Sequence, residues 1–322
     1  MSHPLELWQA AVLGLVEGIT EYLPVSSTGH LIIAGQLMKL TAPDEESAIN
    51  AFEIVIQGGA ILAVLGLYWP SVLRMLKGLT GKDPQGFRLL VNLFIAFLPA
   101  AILGLLLEHW IDKHLFHTTP VLLALGLGGF YMMAVDLWRE GRLGKPRSNL
   151  QKELEVWDLS PRQALMIGLL QCLAMWPGTS RSMMTITGGL FAGLRPKQAA
   201  QFSFLLGLPT LGAATLYKLY KNIHVAHKTG GETFYQQLGI SACVLGIVVA
   251  TLSAAAAVKW LVGFLNKHGL TPFGWYRIAL CVALLALSWA GIVSITKPQA
   301  DSRLDTGTMT VPPIGPILPQ PK

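Results

Sequence analysis

Six stretches of this chain contain no charged side chain: residues 54–73, 89–107, 114–135, 198–217, 233–258 and 278–296. Each has at least 19 residues, and about 20 suffice for a helix to cross the hydrocarbon core of a bilayer. Their apolar positions are not confined to one face. A helix on the surface of a soluble protein would keep a polar face, so these runs predict membrane spans. A transmembrane barrel would alternate in segments of about ten residues, and the runs do not. Trp69, Trp110, Trp138, Trp260 and Trp275 fall near run ends, where an interfacial aromatic belt is expected. The predicted fold class is all-α: a polytopic membrane protein with about six full transmembrane helices.

Two polar stretches interrupt this pattern, "EGITEYLPVSSTGH" at 17–30 and "QCLAMWPGTSRSMMTITGG" at 171–189. Residues 7–23 and 31–40 flank the first break, and 163–176 and 182–194 flank the second. Each flank is short for a span. The pattern predicts two re-entrant helical hairpins, helix–break–helix, with ordinary spans carrying polar kinks as the alternative. Non-helical backbone is tolerated at membrane depth only when buried in protein or lining a wet cavity.

The two regions also resemble each other. Ala10 and Gly14 match Ala164 and Gly168, and "PVSS" (Pro24 to Ser27) matches "PGTS" (Pro177 to Ser180) with one residue of slip. "FEIVIQGGAILAVLGLY" from Phe52 echoes "FSFLLGLPTLGAATLY" from Phe202. Three runs separate the motifs, so a duplication would place its halves in inverted topology, as in many secondary transporters. The chain then reads as one membrane domain, 1–300, with repeat one over 1–140 and repeat two over 160–297. The Pro-rich tail 298–322 is expected to be disordered.

Composition agrees: 52% of residues are hydrophobic and 13% charged, against roughly 25% charged in soluble domains. Mean hydropathy is +0.51. The net charge of +6 is spread over loops and speaks for membrane orientation rather than nucleic acid. Of the 24 Lys and Arg residues, fifteen fall on one side of the predicted topology and eight on the side of the termini, with Arg277 at a span edge. The richer side should be cytoplasmic, with both termini outside. The first residues lack a basic region and a cleavage site, so no removable signal peptide is expected. Cys172, Cys243 and Cys281 lack metal-ligand spacing and read as inert thiols.

Glu17 and Glu21, four residues apart, share a helix face. Ionisable groups inside a membrane point to function. The two carboxylates are suited to holding a divalent cation, with one able to act as general base; a structural pairing of Glu17 is the plainer alternative. Ser26, Ser27 and Thr28 supply hydroxyls, and His30 follows Ser27 by three residues, a spacing compatible with an activated nucleophile but weak alone. Arg181, between Ser180 and Ser182 at a helix start, suits a phosphate through its fork and the helix N–H groups; a snorkelling Arg is the alternative. Arg277 would serve the same anion or a lipid headgroup. Together these are the parts of a phosphoryl-transfer site.

At these motifs the sequence resembles the bacitracin-resistance family of undecaprenyl-diphosphate phosphatases. The resemblance rests on "LGLVEGITEYLPVSSTGH", "FEIVIQGGAILAVL", "PGTSRS" followed by "TITGG", "FSFLLGLP" and "PFGWYR", and covers all but the tail. It implies inverted repeats and an inner-membrane enzyme that opens to the periplasmic side. It also implies removal of the terminal phosphate of undecaprenyl diphosphate, recycling the carrier for peptidoglycan synthesis and conferring bacitracin resistance. The implied catalytic residues are Glu17, Glu21, Ser27, His30 and Arg181, with Ser26, Thr28, Ser180, Ser182 and Arg277 at the phosphate. A divalent cation, Mg or Ca, would sit at Glu17 and Glu21. The expected partners are the polyprenyl diphosphate and membrane lipids, with no nucleic acid; a homodimer is left open. Met183 departs from the family's glycine after "SRS", which leaves the second hairpin's geometry to be tested. An inverted-repeat transporter or lipid flippase is the rival reading, since fold alone does not decide function.

Overall fold

The computed structural model describes residues 5–38, 40, 43–143, 154–229, 233 and 238–291. The predicted tail 298–322 lies outside the described residues. Among these residues the chain forms eleven α-helices, two 3₁₀ turns and one isolated bridge between Leu154 and Leu194. The helices are α1 (Leu7–Thr20), α2 (Ser27–Leu37), α3 (Pro43–Leu67), α4 (Trp69–Leu79), α5 (Pro84–Leu115) and α6 (Thr118–Arg139). They continue with α7 (Pro161–Cys172), α8 (Arg181–Phe191), α9 (Pro196–Thr229), α10 (Ile240–His268) and α11 (Thr271–Trp289).

Five helices are long and apolar enough to cross a membrane: α5, α6, α9 as far as His224, α10 and α11. The sixth expected span, 54–73, is bent. Phe52–Leu67 of α3 and all of α4 meet at 78°. Pro70, in the first turn of α4, has no N–H to continue the α3 ladder and is well placed to start a new helix. Beyond the bend, α4 buries Ser71, Met75 and Gly78 and exposes Trp69, Leu73, Leu76 and Leu79. Leu105, Leu106, Phe130, Leu252 and Val282 are likewise exposed on the long helices. So much exposed apolar surface marks a lipid-facing belt.

The two polar interruptions form helix–break–helix units. α1 has 14 residues, α2 11, α7 12 and α8 11; at 1.5 Å per residue these are about 16–21 Å long, short of the roughly 30 Å core. α1 packs on α2, and α7 on α8, as hairpins. The breaks begin earlier than the sequence pattern indicates. The first covers Glu21–Ser26, so Ser27 to His30 already belong to α2.

The hairpins are held by the long helices. α1 lies along α10 and α3, α7 along α5, α8 along α9, and α11 along α6. Lipid is as apolar as leucine, so helix association here rests on close packing of small residues. Gly14 of α1 shows this: a Cβ there would stand 2.7 Å from the carbonyl oxygen of Gly246 on α10. Tyr22, Leu23, Val25, Met183, Met184, Ile186, Phe202 and Phe204 are buried in one cluster that joins both hairpins to α9.

Candidate active site

Each hairpin break ends on a serine in the left-handed region, Ser26 at φ 74° and Ser180 at φ 76°. They are the only non-glycine residues with positive φ among those described. Such a conformation costs about 1–3 kcal/mol and persists only where its surroundings enforce it. Here hydrogen bonds do so. The Ser26 carbonyl accepts from His30 Nδ1 at 2.7 Å. Ser180 Oγ accepts the Met183 N–H at 3.3 Å, capping α8. Met183 itself is buried, so the residue that departs from the family pattern contributes to the core and to this cap.

The two breaks meet. Glu21 joins them: its Oε2 accepts from Ser27 Oγ at 2.8 Å, and its Oε1 accepts from Arg181 Nη2 at 3.3 Å. Residues 160 positions apart thus share one carboxylate. Ser182 Oγ donates across the same boundary to the Leu23 carbonyl at 2.8 Å. With its one proton spent there, Ser182 accepts from Ser180, 3.0 Å away. Thr28, half-buried, follows Ser27 in the first turn of α2.

Arg181 is nearly enclosed. Its Nη1 donates to the Ser203 carbonyl at 3.1 Å, and its guanidinium carbon stands 5.4 Å from the Tyr22 ring centroid, within cation–π range. Its Nε is buried without a partner, as are Glu17 Oε2 and the Tyr22 hydroxyl. Only four such atoms occur among the described residues, and the fourth, on Asn92, is elsewhere. Buried polar groups are normally bonded. Three such orphans, a carboxylate oxygen, a phenol and a guanidinium N–H, belong to side chains at or next to the two breaks and are the groups left for a polar ligand to satisfy.

Two expected residues stand differently from what their spacing suggests. His30 does not face Ser27. Its Nδ1 is on the Ser26 carbonyl and its Nε2 is 2.7 Å from the Tyr276 hydroxyl, so the group beside the Ser27 hydroxyl is Glu21. Arg277 is fully buried, and its guanidinium donates to the carbonyls of Leu125, Pro24, Ala124 and Gly178 at 2.8–3.4 Å. Its fork is occupied by backbone. Sequence reasoning missed Tyr22, Ser203 and Tyr276. Ser203 is a polar group inside the apolar run 198–217, Tyr22 lies within the first polar stretch and Tyr276 next to Arg277; those placements are the signal that could have found them.

No three of His, Cys, Asp and Glu cluster as a metal site among the described residues. The donors present fit a hard cation that keeps water and takes substrate oxygens, as Mg²⁺ does with one or two carboxylates. Glu17 has a free oxygen for it, and Glu21 lies one helical turn on.

These features define a class: an α-helical, polytopic membrane protein whose polar site lies where two half-length hairpins meet, with carboxylate and hydroxyl on one hairpin and a cation on the other. The chain belongs to the bacitracin resistance protein BacA family, whose pattern it matches over residues 10–283. It is 48% identical over 288 residues to undecaprenyl-diphosphatase 2 of Rhodospirillum rubrum, covering 89% of this chain and 97% of that protein. The undecaprenyl-diphosphatase of Methylococcus capsulatus is 45% identical over 287 residues, 89% of this chain and 97% of its own. That of Sorangium cellulosum is 43% identical over 282 residues, 87% and 86% of the two chains.

Proposed function

We propose that this chain is a membrane phosphatase that hydrolyses undecaprenyl diphosphate to undecaprenyl phosphate and inorganic phosphate, recycling the lipid carrier for peptidoglycan synthesis. The observation that carries the reading is the Ser27–Glu21–Arg181 chain, which joins a hydroxyl, a base and an anion-gripping fork through two partly buried hydrogen bonds.

The terminal phosphate lies between the breaks. Arg181 offers it the unpartnered Nε and the Nη2 now on Glu21. Ser180 and Ser182 stand at the same helix start, where N–H groups and the helix dipole favour an anion. Ser27 Oγ attacks the terminal phosphorus and passes its proton to Glu21 Oε2. The P–O bond to the bridging oxygen breaks, and undecaprenyl phosphate leaves with that electron pair. Glu21 hands that proton on to the departing monophosphate. Water then attacks the phosphoserine and gives a proton to Glu21; the Ser27 Oγ–P bond breaks, Glu21 returns the proton to Oγ, and phosphate leaves. A divalent cation, held by Glu17 and Glu21, would supply positive charge against the diphosphate. His30 shapes the nucleophile's turn through the Ser26 carbonyl.

The site serves the outer face of the bacterial inner membrane. The excess of Lys and Arg on the side opposite the termini, counted on a chain that alternates sides from span to span, supports this orientation. The inverted duplication is part of the same proposal, supported by the matching breaks. The catalytic groups named here all come from one chain, so the proposed chemistry is complete within a single copy. The test is phosphate release from undecaprenyl diphosphate by the purified protein in detergent. Cation-dependent release is expected. Its absence, together with movement of lipid between leaflets in vesicles, would instead support the flippase reading.

A further inference from the structure

Adjacent residues near the start of α11 reach both hairpin breaks. Arg277 Nη1 donates to the Pro24 carbonyl of the first break at 3.4 Å, and Nη2 donates to the Gly178 carbonyl of the second at 2.8 Å. Its remaining bonds, Nε to Leu125 and Nη2 to Ala124 at 3.2 and 3.0 Å, fix the fork against α6. α6 is built to admit it: a Cβ on Gly128 would stand 2.8 Å from the guanidinium carbon. Gly178, at φ +94°, turns its carbonyl toward the fork in a conformation that other residues rarely adopt.

Tyr276 holds the first break from its other end. His30 Nδ1 faces the Ser26 carbonyl, which can only accept, so Nδ1 carries the proton of the neutral ring. Nε2 is then the acceptor, and the Tyr276 hydroxyl donates to it. The two rings lie parallel within 1°, their centroids 5.7 Å apart. The Ser26 carbonyl therefore fixes the tautomer of His30, and Tyr276 fixes the tilt of the ring that holds Ser26 in its left-handed turn, immediately before Ser27.

We propose that Tyr276 and Arg277 form a positioning clamp that sets the nucleophile's break against the phosphate-gripping break without touching substrate. The physical need is plain. Break carbonyls inside a membrane have no water to bond, and the two breaks are remote in sequence. Across their boundary the site itself contributes the Glu21–Arg181 contact, which the mechanism loosens, and the Ser182–Leu23 bond. Arg277 supplies a link that is not consumed in turnover. A displacement of about 1 Å between reacting groups is enough to cost about a hundredfold in rate.

This inference rests on the phosphatase reading, and the experiment separates the two. Phosphate release by the purified wild type comes first; no release would sink the phosphatase reading itself. In an active enzyme, Arg277→Lys keeps the charge but loses the fork. The expected result is a kcat lowered at least tenfold with KM changed less than threefold. A raised KM with kcat unchanged would place Arg277 on the substrate and overturn the clamp. Tyr276→Phe removes one hydroxyl from a half-exposed ring and decides the matter if the Arg277 variant fails to fold. It should lower kcat about three- to tenfold in the wild-type background. In His30→Asn, which keeps a donor near the Nδ1 position and lacks Nε2, it should have less than a twofold effect. Equal losses in both backgrounds, or no loss in either, would show that Tyr276 does not act through His30.

Discussion

The two hairpins share a backbone and divide the chemistry. At a constant offset of 154 positions, Ala10 meets Ala164 and Gly14 meets Gly168; the structure extends that offset to the breaks, pairing Ser180 with Ser26 rather than with Ser27 as the PVSS/PGTS match has it. Their break serines agree closely, at φ 74° and ψ 100° against φ 76° and ψ 117°. The polar side chains diverge. Glu17 corresponds to Gln171, Glu21 to Met175 and Ser27 to Arg181. Glu17 and Gln171 are both 2% exposed, yet only one is at rest. Gln171 donates to the Ala96 carbonyl and accepts from Thr210, each at 3.4 Å, whereas Glu17 keeps an orphan oxygen. The same position is structural in one half and poised for a ligand in the other. A matching turn in each hairpin thus supplies the geometry, and the acids, hydroxyl and cation are distributed across the pair.

The largest effect should come from the nucleophile. Ser27→Ala is expected to leave less than about 1% of turnover, at least a hundredfold loss or about 2.7 kcal/mol of barrier, while the protein still inserts and elutes as the wild type does. Near-normal phosphate release would replace covalent catalysis with direct attack by water. Glu21→Gln keeps the side chain's size but removes the base and the charge facing Arg181, and should cost well over tenfold in kcat. Full activity there would return the first hairpin to a structural role.

The contrast between Glu17 and Gln171 can be read directly. Glu17→Gln should weaken the dependence on divalent cation and lower turnover while thermal stability in detergent holds. Gln171→Leu should do the reverse, with kcat within about threefold of wild type and a melting temperature lower by a few degrees, for the loss of hydrogen bonds worth about 1 kcal/mol each. Equal kinetic losses at both positions would erase the distinction.

How much of this was legible in the sequence depended on range. The hairpins were, because Pro24, Pro177 and their hydroxyl neighbours stand out inside apolar runs. The exact break was not, since nothing local says that Ser26 adopts a positive φ, and Ser27 therefore belongs to a helix rather than to the turn. The bend after α3 was hidden by uniform hydrophobicity, although Pro70 marks it. Convergence was the least legible. Glu21 with Arg181, and Arg277 with Pro24 and Gly178, are pairings of tertiary structure. Spacing suggested His30 as the partner of Ser27, but on α2 its ring turns back to the Ser26 carbonyl.

The smallest expected effect lies away from both hairpins, between α4 and α5. The Arg74 guanidinium, 2.7 Å from Asp83, and the Gly86 N–H hold the Asp83 carboxyl down at about 2. A carboxylate with a depressed value stabilises the fold above its ordinary range, and that contribution is lost as pH falls toward 2. Asp83→Asn should lower the melting temperature slightly at pH 7, by an amount that shrinks on acidification, with kcat unchanged. A shift in kcat would tie this surface pair to the site.

The central claim is that the two breaks make one catalytic site through Glu21. A double-mutant cycle across the hairpins tests it: kcat for phosphate release is measured for wild type, Glu21→Gln, Arg181→Lys and the double variant. Arg181→Lys alone should lower kcat more than it raises KM, because a point charge replaces the fork. If one carboxylate serves both hairpins, the double variant should fall no more than about threefold below the weaker single variant. A double variant whose loss equals the product of the two single losses would show that the hairpins act independently, and would contradict the account.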